Sequence, residues 1–147
     1  MTAEQVFKIV NIVAAAGWLI LIVGARARRM ASLMTATILP LLFAVLYGCL
    51  IATHWSERTG GFGTLAEVRA LFSNDWLLLA GWVHYLAFDL FVGSWQVRDA
   101  QTHRIPHLLL VPGLVLTFLF GPIGFLLYYV VRLLHGAGRR NIVKSVA

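Results

Sequence analysis

The sequence predicts an all-α integral membrane protein, a four-helix bundle with a short interfacial amphipathic helix between spans 2 and 3. The 147 residues are 60% hydrophobic and only 12% charged, which is about half the charged fraction of a soluble domain. Four apolar segments each approach the ~20 residues that a helix needs to cross hydrocarbon. We find no internal repeat and no linker, so we expect one polytopic membrane domain over residues 1–147.

The composition also excludes several classes of protein. The chain has too many aromatic and branched residues to remain disordered. A net charge of +6 would suggest nucleic acid as a partner of a soluble chain. Here the arginines flank apolar segments, as they do beside membrane spans, so we expect the lipid bilayer as a partner and no nucleic acid. The single cysteine, Cys49, forms no intramolecular disulfide, and no cysteine spacing indicates a zinc site.

The predicted spans follow from the lengths of the apolar segments. The first lies too close to Met1, and contains Lys8, so it does not resemble a secretory signal. The second contains Pro40 in its interior. The predicted spans are about 6–24, 31–53, 76–97 and 107–134.

The fourth predicted span contains a Gly121-Pro122 dipeptide that divides it into two halves. Each half has about 13 residues, or ~20 Å of helix, which is too short to cross the membrane alone. The alternative is that the two halves turn back on each other. We expect a continuous but kinked fourth span.

Residues 54–75, between the second and third spans, have the pattern of a soluble segment. Thr64 and Glu67 have the spacing of a capping box, in which Glu67 bonds back to the amide of the cap residue. The apolar residues that follow have helical spacing and predict one apolar side, so we expect a short helix over residues 64–72 in the headgroup layer. Asn74 or Asp75 is expected to cap the third span.

The lysines and arginines do not settle the orientation of a four-span bundle. With four crossings, five lie on one side and seven on the other, so the positive-inside rule does not distinguish the two orientations. The five are Arg26, Arg28, Arg29, Arg98 and Arg104, and the seven are Lys8, Arg58, Arg69, Arg132, Arg139, Arg140 and Lys144.

Two polar side chains lie where hydrocarbon makes them costly. Asp89 lies near the middle of the third span, and His84 precedes it by five residues. An aspartate at a helix centre costs about 2.5–3.5 kcal/mol on insertion scales, and such residues face the bundle interior and mark function by default. Five residues place the two side chains about 140° apart around one helix, so each needs partners from other helices. The alternative is that both are structural hydrogen-bonding groups that fix helix register.

Helix length gives a register for those partners if the third and fourth spans join near residues 98–105. A proline frees the carbonyl four residues earlier, so we expect a protonated Asp89 to find the carbonyl of Ala36 or Leu108, and at least one polar partner from another helix. The pairs of residues expected at the same depth in the membrane are His84 with Thr117, Asp89 with Pro112, Asn11 with His84 and Pro40 with Asp89.

A cluster of polar residues lies at the third connection. Asp99, His103 and His107 contain metal-ligating side chains, but Ile105 and Pro106 separate the histidines, so they do not share one helix face. We prefer an ion pair of Asp99 with Arg98 or Arg104 at headgroup level. A haem between His84 and His107 is also disfavoured, because His84 is about 13 residues deeper, or ~20 Å. We therefore expect no metal and no cofactor.

Several of these residues also carry a resemblance to a known family. The run from Gly81 to Phe91 (GWVHYLAFDLF), then Asp99, Ile105-Pro106-His107 and the run from Phe120 to Gly124 (FGPIG) resemble the small four-span membrane proteins named for the plant abscisic-acid-deficient-four protein. The resemblance is specific from about Phe62 to Tyr129. It implies a membrane protein of carotenoid metabolism that is similar to neoxanthin synthase, which isomerises the epoxide violaxanthin to an allene without net redox change.

The sequence departs from the plant pattern, because no Ser- and Arg-rich transit peptide precedes the first span. This favours a bacterial relative, or a trimmed chain, and predicts an integral, multi-pass protein of the bacterial cell membrane. The violaxanthin substrate does not carry over with the fold, since bacteria mostly do not make it.

The functional hypothesis is a membrane-embedded isomerase, or related enzyme, that acts on an apolar isoprenoid such as a carotenoid. Opening an epoxide beside a polyene needs an acid at oxygen and a base that takes a proton from carbon. An apolar site favours a neutral Asp89 as the acid and a neutral His84 as the base. The alternative is a non-catalytic protein that binds a carotenoid or stabilises a complex, and a homo-oligomer is left open. We expect Asn11, Asp99, His107 and Thr117 to line the substrate pocket or support it.

Overall fold

The computed structural model describes residues 1–23 and 32–146, with side chains up to residue 137. Within this part of the chain the protein is all-helical, as the sequence predicts, and no strand is present. The predicted basic cluster of Arg26, Arg28 and Arg29 lies outside the described residues. The helices are α1 (Ala3–Val23), α2 (Leu39–His54), α3 (Leu65–Leu71), α4 (Asp75–Thr102), α5 (His107–Phe120) and α6 (Pro122–Val146).

Three helical segments in the described ranges are long and apolar enough to cross a membrane: Ala3–Val23, Met34–Glu57 and Asp75–Thr102. The second of these contains α2, preceded by a π-helical turn and followed by a 3₁₀ turn. Leu39 bonds to the carbonyl of Met34, five residues back, directly before Pro40. Because proline has no N–H to continue the ladder, the wider turn before it adjusts the backbone.

The expected continuous fourth span is wrong, and the four-span bundle is not confirmed. α5 ends at Phe120, Gly121 takes a φ of +46°, and α6 begins at Pro122. Glycine adopts this positive φ without the penalty of a Cβ atom, and proline is preorganised for the first turn of a helix. Each half is too short to cross the membrane alone, but this does not require one continuous span. Two short helices that fold back on each other need not cross separately.

α5 and α6 pack along each other as an antiparallel hairpin. A Cβ atom built on Gly124 would collide with the backbone nitrogen of Thr117, and one built on Gly113 would lie 3.3 Å from Cβ of Tyr128. These close approaches explain why the facing positions hold glycine. The hairpin returns α6 to the end of the bundle where α4 ends and α5 begins.

α4 lies at the centre of the bundle and packs against α1, α2 and α5. Half of its most apolar window is buried inside the protein, against 28% for α1 and 22% for the second segment. Val83 and Leu90 of α4 are fully buried. The position of α4 explains why its polar residues, His84 and Asp89, are surrounded by different neighbours on different sides.

The short helix α3 forms where the capping box predicts it. Thr64 Oγ1 accepts a hydrogen bond of 3.2 Å from the amide of Glu67. The Glu67 carboxylate accepts from the amide of Gly63 at 3.0 Å, one residue before the cap amide that the capping box predicts. Asn74 caps α4, as expected, by accepting from the amide of Trp76 at 2.9 Å.

Candidate functional site

His84 lines a cavity of about 640 Å³ between α2, α3 and α4, which we call the chamber. The imidazole is exposed to this space. Its ring contacts Tyr47 of α2, with centroids 5.7 Å apart, and Phe88 of α4 at 4.6 Å. The chamber is lined by Tyr47, Ile51, Ala52, Trp55, Phe62, Leu71, Phe72, Leu77, Gly81 and His84.

The chamber is mostly apolar and aromatic. Four of its lining residues are Phe, Tyr or Trp, and its only ionisable lining groups among the described residues are Tyr47 and His84. Imidazole both donates and accepts a proton near neutral pH, which makes His84 the natural acid–base group of this space.

One wall of the chamber is a glycine-rich loop that carries Phe62. Phe62 stacks on Trp55 with centroids 6.1 Å apart. The loop turns at Gly60, where φ is +100° and a Cβ atom would collide with the carbonyl of Glu67, so glycine is required there. Thr59 ties the start of the loop to α3 by a 3.1 Å hydrogen bond to the carbonyl of Ala70.

Asp89 lies on a different side of α4 and faces the turn of the hairpin. Its Oδ1 atom lies 3.0 Å from the position that a Cβ atom would take at Gly121. The Tyr85 hydroxyl, one turn earlier on α4, faces the same carboxyl. The Oδ2 atom is buried and has no hydrogen-bond partner among the described residues. Asp89 therefore points into the bundle, as predicted, but the expected polar partner from another helix is absent from this part of the chain.

His84 lines the chamber and Asp89 does not. The predicted register with α5 is wrong by about three turns. Thr117 is level with Gln96 instead of His84, and Gly121, instead of Pro112, is next to Asp89. The cause is that α4 runs to residue 102 and only four residues connect it to α5.

Asp99 forms a polar cluster with the return helix at the end of α4. Its Oδ2 atom accepts a hydrogen bond of 2.6 Å from Tyr128 and pairs with Nε of Arg132 at 3.0 Å. His103 lies 3.5 Å from Oδ1, and its Nε2 lies 3.0 Å from Arg132. The expected ion pair of Asp99 with Arg98 or Arg104 is therefore wrong, because the hairpin brings Arg132 to it. Within the described residues no group of three or more His, Cys, Asp or Glu is arranged to hold a metal ion.

Comparison with protein-family models gives one match, to the family described as ABA DEFICIENT 4-like, over residues 5–128. The chain belongs to this family. The match runs from α1 into the first turns of α6, so it contains the chamber, Asp89, the hairpin turn and Asp99. Comparison with curated proteins and with solved structures found no match. The family name links the ABA DEFICIENT 4-like chain to carotenoid and neoxanthin biosynthesis.

The four residues expected to support the site all lie outside the chamber of this ABA DEFICIENT 4-like chain. Asn11 accepts a 3.1 Å hydrogen bond from Nε1 of Trp82, close to the depth of His84 as predicted, but on the α1 side of α4. Thr117 pairs with Gln96 in the core, and Asp99 belongs to the polar cluster above. His107 Nε2 lies 2.7 Å from the carbonyl of Ile22, at the end of α1.

Several residues that shape the ABA DEFICIENT 4-like fold were not apparent from the sequence. Gln96 and Thr117 are fully buried and bond to each other at 3.0 Å. Tyr128 and Arg132 are four residues apart, on one face of a helix, as are Asp99 and His103. The equal spacing of these two pairs was a signal in the sequence that they face each other. It could be interpreted only once the hairpin was known to bring α6 back beside the end of α4.

Proposed function

We propose that this chain binds the ring end of an apolar isoprenoid, a carotenoid in keeping with its family, in the chamber, and isomerises it by acid–base chemistry at His84. The observation that carries the proposal is the placement of His84 in an aromatic cavity of about 640 Å³. An apolar cavity with few convergent polar groups is the usual form of a site for a small apolar ligand.

The proposed reaction is the opening of an epoxide beside a polyene. The epoxide oxygen gains a proton, its C–O bond breaks, and a neighbouring carbon loses a proton to form the new double bond. The substrate gains one proton and loses one, so a single imidazole can donate the first proton and take the second. We assign both transfers to His84, because Asp89, the acid that the sequence suggested, does not line the chamber. For Asp89 we propose a positioning role at the hairpin turn.

The test is turnover of a defined set of epoxy-carotenoids by the purified protein in lipid nanodiscs, followed by chromatography and mass spectrometry. General acid–base catalysis contributes about 10²–10⁴-fold, so His84→Gln should lower turnover by about that factor. His54→Gln is the matched control, because His54 stacks on Trp76 and does not line the chamber. Absence of turnover by the wild-type protein, or full activity of His84→Gln, would contradict the proposal.

The second candidate is a non-catalytic carotenoid-binding protein. It is favoured by the separation of Asp89 from the chamber, since no carboxylic acid of the described residues then lines the chamber to pair with His84. This candidate expects carotenoid to co-purify with the protein from cells that make it, and to remain bound unchanged. His84→Gln should then retain the bound pigment, whereas Gly81→Phe, which fills the chamber wall, should lose it.

A further inference from the structure

A second cavity, of about 390 Å³, lies deeper along the same two helices. It is apolar, and we call it the groove. Residues of the π-helical turn and of α2 form one side, and residues of α4 form the other. The groove is lined by Ala36, Thr37, Pro40, Leu41, Ala44, Ala87, Phe88 and Phe91.

The chamber and the groove follow one straight seam between α2 and α4. Five of the six α4 residues that line them repeat at intervals of four and three positions, which places them on one face of the helix. These residues are Leu77, Gly81, His84, Phe88 and Phe91. The α2 residues run in the opposite direction, from Ala52 in the chamber to Ala44 and Leu41 in the groove. Fourteen residue steps of α4, from Leu77 to Phe91, span ~21 Å along the helix, which is the combined length of the two spaces along α4.

The two spaces are neighbours at the level of His84 and Phe88. His84 lines the chamber, Phe88 lines the groove, and their ring centroids are 4.6 Å apart. On α2, Gly48 lies one turn from Ala52 of the chamber and one turn from Ala44 of the groove. A Cβ atom built on Gly48 would meet no atom within 4 Å, so there is open space beside α2 at this level.

We propose that the chamber and the groove together bind one linear molecule, a ring-bearing isoprenoid whose ring lies beside His84 and whose apolar tail lies in the groove toward Phe91. This proposal rests on the proposed function for the ring site and adds the site for the tail. The aromatic faces of Phe88 and Phe91 suit a flat conjugated chain, and the small side chains of Ala44 and Ala87 line the same groove. No charged residue lines either space within the described part of the chain, so the tail needs no polar group.

The experiment compares two probes that share a ring, β-ionone with only a short four-carbon enone chain and retinol with a long conjugated tail. Binding to the purified protein in detergent is followed by quenching of tryptophan fluorescence. Ala44→Phe fills the groove and should weaken retinol binding by about tenfold, since the tail loses its buried contacts. It should leave β-ionone binding unchanged. Val45→Phe is the matched control, because Val45 is the next residue and is 65% exposed on the outer side of α2, and it should leave both affinities unchanged.

The outcomes separate the tail site from the proposed function. If β-ionone fails to bind the wild-type protein, the ring site, and with it the proposed function, is wrong. If β-ionone binds and Ala44→Phe binds retinol as the wild type does, the groove holds no tail. If Ala44→Phe loses both probes, Phe91→Ala decides, because Phe91 is half-exposed at the far end of the groove; unchanged retinol binding by this variant overturns the proposal. Equal competition by palmitate would assign the groove to lipid chains and also overturn it.

Discussion

The hydroxyl of Tyr128 donates a hydrogen bond of 2.6 Å to Oδ2 of Asp99 and thereby fixes α6 against the end of α4. Asp99 is only 14% exposed, and the same oxygen pairs with Nε of Arg132 at 3.0 Å. A carboxylate in this position needs charge-assisted partners to offset its desolvation. Both partners come from the return helix, so the hairpin and the Asp99 cluster stabilise each other.

Replacing Tyr128 with Phe should destabilise the protein, because Asp99 loses its shortest hydrogen bond while the packing of the ring is kept. We expect a loss of about 1–2 kcal/mol in the free energy of unfolding, the usual size for such a bond. SDS titration in mixed micelles, followed by circular dichroism, measures it. Tyr129→Phe is the control, since Tyr129 is exposed and its ring contact with Arg132 survives the change. Equal stability of the two variants would show that the Tyr128 bond does not hold the hairpin.

Replacing Gly124 with Ala should force the two helices of the hairpin apart. The new methyl group would collide with the backbone of Thr117, and backbone cannot move aside as a flexible side chain can. Gly136→Ala, in the same helix, meets no atom within 4 Å and should be neutral or stabilising by up to about 1 kcal/mol, since alanine favours helix. The comparison uses the midpoint of thermal unfolding in detergent. A lower midpoint for Gly136→Ala than for Gly124→Ala is the opposite of our expectation.

The features that the sequence predicted are those with local causes. The cap of α3 at Thr64 and the cap of α4 at Asn74 depend on residues two or three positions away, so their spacing is sufficient. The three long helices follow from apolar length. The inward direction of Asp89 follows from the cost of placing a carboxyl against lipid.

The features that the sequence did not predict depend on where helices end. α4 continues through Gln96 and Asp99 to residue 102, because a helix keeps its backbone bonds after its apolar stretch stops. An estimate based on hydropathy ended the helix near residue 97 and shifted every partner across the connection. The pairs of Gln96 with Thr117 and of Asp99 with Arg132 were therefore out of reach.

The buried pair of Gln96 and Thr117 should show strongly non-additive energetics. Thr117→Val alone leaves the Gln96 amide unsatisfied in the core and should cost about 1–3 kcal/mol, as for any orphaned buried polar group. The double variant Gln96→Leu with Thr117→Val removes both partners and should cost less than the sum of the two single changes. SDS titration of the four proteins measures the coupling. Additive costs would mean that the two side chains do not depend on each other.

The hairpin also changes how the positive charges are divided between the two ends of the bundle. α6 returns to the end where α4 finishes, so Arg132 and the later basic positions of α6 join Arg98 and Arg104. The first connection in the sequence follows the end of α1, where Ile22 contacts His107 at this same end. Of the nine lysines and arginines at positions in the described ranges, six then belong by chain position to this end, and Lys8, Arg58 and Arg69 belong to the other.

The positive-inside rule now predicts an orientation, with the end of α4 in the cytoplasm and the α3 end outside. In a Cys49→Ser background expressed in a bacterial host, a membrane-impermeant maleimide should label Ser73→Cys in intact cells. It should label Gln101→Cys and Ala137→Cys only after the cells are permeabilised. Ala137 is the informative position, because a continuous fourth span would place it on the side of Ser73, whereas the hairpin places it with Gln101. Labelling of Ala137→Cys together with Ser73→Cys in intact cells would overturn the hairpin, and labelling of Gln101→Cys and Ala137→Cys alone would reverse the orientation but retain the hairpin.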